Sequence, residues 1–488
     1  MMKICISIAE KTMDEALAAS KRAAEKKPDL IEIRFDLMAS LPDDLRGFRD
    51  VPVPKIATLR SASQGGGFRG GDREKAALLR RAIKAGFAVV DLEIDSPLLA
   101  RAGRDFRGAE IICSYHNLEF APDVSKIIEI LVVGAARGHV AKAAFKVNTV
   151  RDLLSIVEAA TAFASSEEEF VLIGMGELGE LTRIRAASMK CSFTYASLEP
   201  GKETAPGQID FDTLRGLGDE PLVTGIAGHP LGHTLSPGMH NAAFKELGIA
   251  GRYVVLPTKS EELEDVLDLT VELNLRGFNV TIPHKESIVP LLDRLDDAAR
   301  QAKAVNTVVN QGGELVGMNT DVHGVAKTFE KAGVQAKGKR VLIVGAGGAA
   351  RACVSYLSPL GARISVVNRT RARAEVLAND FKGVQILERS EAEKAPFDVV
   401  INCTPLGMKG FPDEMPISAM VLRPGQFVFD TVYNPSMTGF LAEAQRRGAV
   451  VESGMEMLIQ QAVRSFEIWT GRAPPYELMA AAAREAMG

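Results

Sequence analysis

A lysine within an apolar, strand-like run is the first residue of this sequence that could do chemistry. Lys142 lies in HVAKAAF, and His116 ends a second run of the same kind, EIICSYH. A lysine in apolar surroundings has a lowered pKa, is partly neutral and can attack a carbonyl carbon to form a Schiff base. A histidine near such an imine can remove and return protons. These residue types therefore suggest carbonyl chemistry through a covalent lysine adduct.

Charged residues alternate along another strand-like run, LIEIRFDL. Glu32, Arg34 and Asp36 occupy every second position, and residues two apart share one face of a strand. A buried charge is costly unless it is paired or used, so this face suggests a polar site. Other strand-like runs carry polar residues in similar places: Arg60, Asp91, Glu93, Ser114 and His116.

Eight strand-like runs alternate with helix-like runs in the first part of the chain. The runs are KICISI, LIEIRFDL, PKIATLR, FAVVDLEI, EIICSYH, HVAKAAFK, FVLIGMG and SFTYASL, and amphipathic segments such as MDEALAASKRAAEKK separate most of them. This alternation predicts an α/β fold, a (β/α)8 TIM barrel, whose active site lies where the carboxyl ends of the strands meet the following loops. The alternative is an open doubly wound sheet, which usually has fewer strands.

The polar residues of these strands would face the mouth of such a barrel. For Lys142 alone, a position on an outer face with Lys146 or His139 as chance neighbours is an equally good interpretation. Glu32 and Arg34 alone would more commonly form a structural ion pair. The agreement of five strands favours a catalytic site.

A glycine-rich turn opens the last third of the chain. In VLIVGAGGAARA an apolar strand is followed by Gly345, Gly347 and Ala350 in a G-x-G-x-x-A pattern, and then by a helix-like run. Backbone amides at a helix N-terminus bind a pyrophosphate, so the sequence predicts a Rossmann dinucleotide site. The predicted cofactor contacts in this turn are Gly345, Ala346, Gly347, Gly348 and Ala349.

The end of the next strand indicates which dinucleotide binds. ARISVVNRTRAR places Asn368, Arg369 and Thr370 where an NAD site would have an acidic residue for the ribose, and Arg371 and Arg373 follow. Cationic side chains there favour a 2′-phosphate, so NADP is the predicted cofactor, bound by Arg369 and Arg373 among others. The alternative is a solvated, basic start of a helix.

Four polar motifs lie upstream of the glycine-rich turn: GHPLGHTLSPGMHN, GFNVTIPHKE, AVNTVV and GMNTDVHG. They are rich in Asn, Thr, Ser, Lys and Asp, which suit a polyol ligand. His229, His233 and His240 could suggest a metal, but they lie in a Pro- and Gly-rich loop without helical i, i+4 spacing. No metal site is therefore predicted.

The bulk properties of the chain limit its partners. It has 488 residues, a net charge of −4 and five widely spaced cysteines. The length suggests about two to four domains. The charge makes a nucleic-acid partner unexpected, and no apolar run reaches the ~18 residues that predict a membrane span. The cysteines show no disulfide or zinc pattern, and the apolar stretch in MMKICISIAE is too short for a signal peptide, so we expect a cytoplasmic protein.

The motifs between Lys3 and Asp210 resemble those of the type I 3-dehydroquinate dehydratases of the shikimate pathway. IEIRFDL is similar to the family's Glu-x-Arg-x-Asp strand, TLRSASQGG to its arginine loop, MGELGELTR to its carboxylate-binding stretch and TAPGQ to its closing loop. CSYHN and VAKAA match the segments with the catalytic histidine and the Schiff-base lysine. The resemblance implies His116 and Lys142 as catalytic residues. It implies the substrate-binding residues Glu32, Arg34, Arg60, Arg183, Thr204 and Gln208.

Two positions depart from this family's pattern. Gln64 stands where the family usually has a glutamate near the histidine. The missing charge would lower the pKa of the histidine, or leave Asp91 or Glu93 as its main acidic partner. Thr204 replaces a serine and keeps the hydroxyl group.

The resemblance also implies a mechanism. Lys142 would form an imine with the C3 ketone of 3-dehydroquinate, and the iminium would make a C2 proton removable. His116 would take that proton and help the C1 hydroxyl leave as water. Hydrolysis of the imine would release 3-dehydroshikimate.

From about Leu222 to the end, the chain resembles shikimate dehydrogenase in its four polar motifs, its glycine-rich turn, INCTPLGM and GMEMLIQQAV. The resemblance implies Lys285 and Asp321 as the catalytic pair and adds Thr404 and Gly454 to the NADP site. It implies that Thr234 and Ser236 hold the substrate carboxylate, with Thr234 replacing the usual serine. The other implied substrate-binding residues are Asn279, Thr281, Asn306, Tyr433 and Gln461.

We therefore expect two consecutive enzymes in one chain, the first making the second's substrate. The predicted domains are a barrel at 1–212, a substrate-binding domain at 222–322 to which helices from about 456 to 488 return, and a Rossmann domain at 323–455. The polar segment Asp210–Leu222 is the predicted linker. One alternative is a catabolic NAD-dependent quinate/shikimate dehydrogenase, which the arginines after Asn368 disfavour. Another is a non-catalytic quinate-sensing regulator, which would lack the catalytic groups.

Overall fold

The computed structural model divides into two units and describes residues 1–232 and 234–487. The first unit comprises residues 1–222, 250–258 and 265–274, and the second comprises 223–249, 259–264 and the chain from 275 onward. His233, one of the three histidines considered for a metal, lies outside the described residues.

Eight parallel strands form the sheet of the first unit. They are β1 (Lys3–Ile8), β2 (Leu30–Arg34), β3 (Lys55–Thr58), β4 (Val89–Glu93), β5 (Glu110–Asn117), β6 (Val140–Lys146), β7 (Phe170–Met175) and β8 (Phe193–Ser197). The helices between and after them are α1 (Met13–Glu25), α2 (Asp72–Lys84), α3 (Ala102–Asp105), α4 (Val124–Ala135), α5 (Val150–Phe163), α6 (Glu180–Ile184) and α7 (Phe211–Leu217).

The strand order confirms the predicted barrel. Each strand from β1 to β6 pairs with the next one in sequence, and β1 also pairs with β8. At the remaining seam, the backbone N–H of Ser192 donates to Phe170 O (2.8 Å), where β7 and β8 begin. A doubly wound sheet would instead reverse its strand order part-way. The result is an eight-stranded, TIM-like near-barrel.

Side chains inside the near-barrel form an apolar layer below a polar one. The apolar cluster includes Cys5, Leu30, Ile56, Val89, Ile112, Val140, Val171 and Phe193. Two residues further along each strand, and so on the same face, come Ser7, Glu32, Thr58, Asp91, Ser114, Lys142, Ile173 and Tyr195. Of the charges of LIEIRFDL, Glu32 therefore belongs to the layer nearer the carboxyl ends of the strands.

The segment predicted as a linker is largely helical, which corrects that prediction. Asp210 caps α7 by accepting from the backbone N–H of Thr213 (3.0 Å), and Phe211, Leu214 and Leu217 are buried. These three apolar residues lie on one face of a helix at i, i+3 and i+6, a pattern hidden within an otherwise polar stretch.

The next part of the chain contains β9 (Leu222–Gly228), α8 (Ser236–Glu246), β10 (Gly251–Pro257), α9 (Leu263–Glu272), β11 (Gly277–Val280), β12 (Arg294–Leu295), α10 (Asp297–Ala302), β13 (Thr307–Gln311) and β14 (Glu314–Met318). Within the second unit, these strands run in the order β9-β11-β13-β14-β12. Strands β9 and β11 are parallel, whereas β13 is antiparallel to both of its neighbours.

A second sheet follows, with strands β15 (Arg340–Val344), β16 (Arg363–Val367), β17 (Gln385–Ile386), β18 (Val399–Asn402), β19 (Phe427–Asp430) and β20 (Val450–Glu452). Its helices are α11 (Asp321–Lys331), α12 (Gly348–Leu357), α13 (Arg371–Asp380), α14 (Arg389–Lys394), α15 (Gly439–Arg446), α16 (Met455–Thr470) and α17 (Tyr476–Glu485).

The order β17-β16-β15-β18-β19-β20, parallel throughout, confirms the predicted Rossmann fold. Its strand order reverses between β15 and β18, where such folds bind dinucleotides. The last two helices return to earlier elements, because α16 packs against α11 and α17 against α8. In the part of the chain that is described, no helix combines the length and apolar character needed to cross a bilayer.

Candidate active sites

Lys142 lies inside the near-barrel, which excludes the outer-face interpretation. Its side chain is buried, and Nζ lies 2.9 Å from the hydroxyl of Tyr195, 3.1 Å from Asp91 Oδ2 and 3.6 Å from Glu32 Oε1. An ammonium group has three protons to donate, and these three acceptors come from three different strands. The amine nitrogen is thus held in a fixed position near the mouth of the near-barrel.

Glu32 is a fixed anion in this cluster. Its carboxylate accepts from Ser7 Oγ (2.6 Å) and Thr58 Oγ1 (2.9 Å). Burial by itself would raise the pKa of Glu32, but the positive charges of Lys142, Arg34 and Arg60 outweigh burial and lower it to about 2. Glu32 can therefore position cations and hydroxyl groups, but at neutral pH it has no proton to donate.

Arg34 pairs with Asp36 rather than with Glu32. Strand β2 ends at Arg34, and Asp36 lies in a 3₁₀ turn, so strand alternation does not place it. From this turn the carboxylate of Asp36 accepts two hydrogen bonds from Arg34, 2.9 Å from Nε and 2.8 Å from Nη2.

By contrast, the buried Nε of Arg60 has no hydrogen-bond partner among the described residues. Arg60 thus offers an unused donor at the mouth.

His116 is a buried histidine whose nearest polar partner is Gln64. Gln64 Oε1 accepts from the backbone N–H of His116 (3.0 Å) and lies 3.4 Å from its Nδ1. Burial, followed by the charges of Arg60, Lys142 and Arg34, lowers the pKa of His116 well below its ordinary value. The imidazole is therefore neutral at physiological pH, the form that a general base requires.

Neither Asp91 nor Glu93 is the acidic partner of His116. Asp91 accepts from Ser114 Oγ (2.5 Å) and from Lys142. Glu93 accepts from Lys75 Nζ (2.6 Å) and from the backbone N–H of Ser61 (2.7 Å). The pKa of His116 is lowered, but the causes are burial and the charges of Arg60, Lys142 and Arg34, so the effect of Gln64 stays a prediction.

Arg183 lies in α6, after β7, and Thr204 and Gln208 lie in the loop after β8; none of them contacts Lys142 through a hydrogen bond. Arg183 Nη1 donates to Gly174 O (2.8 Å) and Gly179 O (3.2 Å). Gln208 Oε1 accepts from the backbone N–H of Thr204 (2.7 Å) and from its Oγ1 (3.2 Å). Thr204 and Gln208 thus contact each other, and Arg183 contacts backbone carbonyls of β7 and of the residue before α6.

Lys285 and Asp321 form a second charged pair, in the second unit. Lys285 Nζ lies 2.5 Å from Asp321 Oδ2. Asn306 Nδ2 donates to Asp321 Oδ1 (2.9 Å) and lies 3.3 Å from Gln461 Oε1. The structure therefore brings together four residues predicted from separate motifs.

A buried hydroxyl cluster supports Asn306 and Asn279. Asn279 Nδ2 donates to Thr307 Oγ1 and Ser465 Oγ, both at 3.1 Å, and Ser465 Oγ lies 3.0 Å from Thr320 Oγ1. The hydroxyl and backbone N–H of Thr320 donate to Asn306 Oδ1. These hydroxyl groups fix which way both amides point.

Thr234, Ser236, Thr281 and Tyr433 lie apart from that network. Thr234 Oγ1 accepts from the backbone N–H of Ser236 (3.3 Å) at the start of α8, where a carboxylate would meet free amides. Thr281 is half-buried and packs against Gly228, whose Cα hydrogen faces its methyl group. Burial raises the pKa of Tyr433, so its phenol stays protonated.

The glycine-rich turn leaves room for a pyrophosphate. Gly345 has φ +115°, and a Cβ there would lie 2.9 Å from Cys403 O, so only glycine fits. Gly347 precedes α12, and a Cβ at this residue would meet nothing within 4 Å. Ala346 is buried beneath the turn, and Ala349 lies in the first turn of α12. This open cradle at a helix N-terminus fits a dinucleotide phosphate.

Two further residues predicted to bind the cofactor, Thr404 and Gly454, are held by hydrogen bonds or by close backbone packing. Thr404 Oγ1 (2.7 Å) and its backbone N–H (3.0 Å) donate to Asn402 Oδ1, and Asn402 in turn donates to Asp430 (2.9 Å). A Cβ at Gly454 would lie 2.1 Å from Thr431 O. Both loops follow strands at the carboxyl edge of the Rossmann sheet.

Comparisons with known proteins match the two halves to different families. The model of type I 3-dehydroquinase matches residues 4–218. The shikimate dehydrogenase substrate binding domain matches 226–308, shikimate / quinate 5-dehydrogenase 326–416, and the shikimate 5′-dehydrogenase C-terminal domain 454–484.

One relative spans both halves. The chloroplastic bifunctional 3-dehydroquinate dehydratase/shikimate dehydrogenase of Arabidopsis thaliana is 31% identical over 511 residues, covering 97% of this chain and 83% of the relative. The chain belongs to this bifunctional family. Both halves of the sequence prediction are thereby confirmed at the level of the family.

Relatives of the second half support the predicted cofactor. The shikimate dehydrogenase (NADP(+)) of Moorella thermoacetica is 44% identical over 275 residues, covering 54% of this chain and 92% of the relative. The crystal structure of shikimate 5-dehydrogenase from Thermus thermophilus, in complex with NADP(H) and shikimate, is 36% identical with a TM-score of 0.51. It covers 54% of this chain and 99% of its own. These names agree with the NADP prediction.

The three arginines predicted to lie near the 2′-phosphate of NADP differ in whether they already form ion pairs. Arg371 is paired with Glu375 (3.0 Å) and Glu388. Arg369 and Arg373 are exposed, and neither has an ion pair within the described ranges. Asn368 Nδ2 donates to Thr370 O (2.7 Å), which closes the turn before α13. Arg369 and Arg373 therefore fit a 2′-phosphate better than Arg371 does.

Several polar residues of the two sites were missed in the sequence. They are Ser7, Thr58, Lys75 and Tyr195 in the near-barrel, and Thr307, Thr320 and Ser465 in the second unit. Strand alternation from Phe193 would have placed Tyr195 in the polar layer. The repeated Asn-Thr pairs in AVNTVV and GMNTDV are a similar signal for Thr307 and Thr320. Nothing local distinguishes Ser465 from other helical serines.

Proposed function

We propose that this chain dehydrates 3-dehydroquinate at Lys142 and reduces the resulting 3-dehydroshikimate to shikimate with NADPH at Lys285. The observation that carries the proposal is the presence of both catalytic pairs in one family member: Lys142 with His116, and Lys285 with Asp321. A regulator that had lost catalysis would have no reason to keep a buried lysine between two carboxylates, since such a group is costly to bury.

In the dehydratase, Lys142 attacks the C3 carbonyl after it loses a proton within its cluster. The iminium withdraws electrons from C2, and the neutral imidazole of His116 takes the C2 proton. The imidazolium then protonates the C1 hydroxyl, which leaves as water. Water hydrolyses the imine and regenerates Lys142. Imine formation releases one water and hydrolysis consumes one, so the net reaction is loss of a single water molecule.

Four residues of this half are proposed to bind the substrate around the reacting carbon. Arg60 has an unused buried Nε, and Arg183 has a second one, so both can donate a hydrogen bond to a carboxylate or hydroxyl oxygen. For Arg183 this requires that substrate binding redirect the guanidinium from the Gly174 carbonyl. Thr204 and Gln208 would exchange their mutual hydrogen bond for bonds to substrate hydroxyl groups.

In the dehydrogenase, the bound nicotinamide supplies the hydride that reduces the C3 ketone. Lys285 supplies the proton to the developing alkoxide, and Asp321 keeps Nζ in place. Asn306 and Gln461 are proposed to bind ring hydroxyl groups, together with Asn279 and Thr281. Thr234 and Ser236 would place the carboxylate at the N-terminus of α8.

A coupled assay tests the proposed function. The parent enzyme, given 3-dehydroquinate and NADPH, should form shikimate and consume one NADPH per molecule. The Lys142→Ala variant should form no shikimate from 3-dehydroquinate but should still reduce added 3-dehydroshikimate. If the parent reduces 3-dehydroshikimate with NADH as readily as with NADPH, the NAD-dependent catabolic alternative is the better interpretation. A cytoplasmic location stays a prediction from the sequence.

Replacing Arg369 with alanine should weaken the binding of NADPH much more than the binding of NADH. A 2′-phosphate carries roughly −1.5 to −2 charges, and a charge-assisted contact contributes about 1.5–3 kcal/mol, which is roughly tenfold to a hundredfold in affinity. The measurement is the Michaelis constant of each cofactor in the reduction of 3-dehydroshikimate. Arg371→Ala is the matched control, because that arginine is already paired with Glu375 and Glu388. An equal rise in the Michaelis constants of both cofactors would show that Arg369 does not bind the 2′-phosphate.

Replacing Gln64 with glutamate should change the pH profile of the dehydratase. The acid limb, the side of the profile on which kcat/KM falls as the pH is lowered, should move towards neutral pH. Gln64 Oε1 lies 3.4 Å from His116 Nδ1, so a carboxylate there would favour the imidazolium and raise the pKa of His116. Because the base must be neutral, activity would then be lost at a higher pH than in the parent, by about 1–3 pH units. The profile of kcat/KM for 3-dehydroquinate measures this, and the dehydrogenase profile is the control. An unmoved acid limb would mean that another group controls it.

A further inference from the structure

A buried arginine connects the loop of Lys285 to the helix that follows the glycine-rich turn. Arg351, in α12, is 4% exposed, and its Nε lies 3.0 Å from Oε2 of Glu286, the residue next to Lys285. Its Nη1 lies 2.8 Å from Asp380 Oδ2 and 3.4 Å from Ala302 O. One guanidinium thus contacts three separate segments of the second unit.

Gly348 brings the same face of α12 against Lys285 itself. A Cβ at Gly348 would lie 2.8 Å from Cδ and 3.0 Å from Cβ of Lys285. Gly348 and Arg351 are three residues apart and therefore neighbours on one helix face. The methylene chain of Lys285 and the carboxylate of Glu286 are both held by this face.

The elements that Arg351 joins are also those predicted to bind NADP. The N-terminus of α12 forms the pyrophosphate cradle, and Asp380 is the last residue of α13, which begins just after Arg369 and Thr370. Lys303 adds a second cation to Asp380, at 2.5 Å. An ion network around one buried arginine is a poor source of stability compared with apolar packing, whereas a planar guanidinium with several fixed acceptors specifies geometry well.

We propose that Arg351 is a positioning residue of the dehydrogenase, which holds the Lys285–Glu286 loop against the cofactor-binding helix. Arg351 acts through Lys285 and touches neither substrate nor cofactor. The proposal rests on the proposed role of Lys285 as proton donor. Its consequence is that proton transfer depends on the docking of the loop onto α12, so the loop and the NADP cradle work as one structure.

The test uses the full chain with Arg351→Met, which keeps the length and removes the charge, and Arg351→Lys, which keeps only the charge. For Arg351→Met we expect kcat for 3-dehydroshikimate reduction to fall about tenfold to a hundredfold, with the KM for NADPH changed less than about threefold, because a displacement near 1 Å can cost that much rate. Arg351→Lys should restore part of kcat. Arg294→Met, which removes an exposed pair with Glu314, is the matched control.

Two further measurements separate positioning from a structural role. In a Lys285→Ala background, Arg351→Met should lower kcat for 3-dehydroshikimate reduction little further, since Arg351 and Lys285 act on the same proton-transfer step. The dehydratase activity of each variant should equal that of the parent. Should Arg351→Met fail to fold, Glu286→Ala removes the same contact from the other side, at a side chain that is 38% exposed.

The possible outcomes differ in what they overturn. Additive losses in the Lys285→Ala background, an unchanged kcat, or a loss confined to the KM for NADPH would overturn the positioning role of Arg351. A parent enzyme that forms no shikimate would instead overturn the proposed function itself.

Discussion

Borohydride added together with 3-dehydroquinate should leave a stable adduct on Lys142 and abolish the dehydratase. The iminium that Lys142 forms with the C3 carbon is reduced to a secondary amine, which water cannot hydrolyse. Lys142→Ala should reduce dehydratase activity on the order of 10⁴-fold or more, the scale seen when a covalent nucleophile is removed. Mass spectrometry of the intact chain and of its peptides measures the adduct, and dehydrogenase activity should persist in both experiments.

Lys146 is the matched control for this prediction. It lies four residues further along β6, on the same face as Lys142, and its Nζ lies near Gly176 at the mouth. Lys146→Ala should still be trapped by borohydride at Lys142. An adduct found on Lys146, or no adduct at all, would show that the buried cluster of Glu32, Asp91 and Tyr195 does not mark the reactive amine.

Replacing Lys285 with alanine should slow shikimate formation by roughly 10²–10⁴-fold, the usual contribution of general acid–base catalysis. The Asp321 carboxylate would lose its cation at 2.5 Å, and the developing alkoxide its proton donor. Because the dehydratase site lies in the other unit, 3-dehydroquinate should still be consumed and 3-dehydroshikimate should accumulate. The measurement follows both compounds and NADPH over time.

Lys327→Ala is the corresponding control, because Lys327 forms a surface ion pair with Glu330 of α11 at 2.7 Å. It should leave both activities unchanged. A Lys285→Ala enzyme that keeps its kcat would require a different proton donor. Loss of the dehydratase in the same variant would point to misfolding rather than to chemistry.

The partners of individual charges could be predicted only in part. The sequence suggested a polar face with Glu32, Arg34 and Asp36, and the structure places Glu32 and Arg34 in the near-barrel as expected. It also ends the strand at Arg34, so that Asp36 binds Arg34 from a turn. Likewise Glu93, considered as a partner of His116, is held by Lys75, which lies 18 residues further back in the chain.

Local patterns of this sequence determined which elements form, where the glycine-rich turn lies and which residue types are available for chemistry. Alternation in strands, the positive φ that Gly345 must adopt and the matching family motifs are all readable along the chain, because each depends on neighbours within a few residues. Tertiary structure alone decided which acceptor each cation takes, that Tyr195 completes the contacts of Lys142, that Ser465 reaches Thr307 from 158 residues away, and that Arg351 holds the loop of Lys285. Those contacts depend on distances between elements far apart in sequence, and the packing of whole strands and helices fixes such distances.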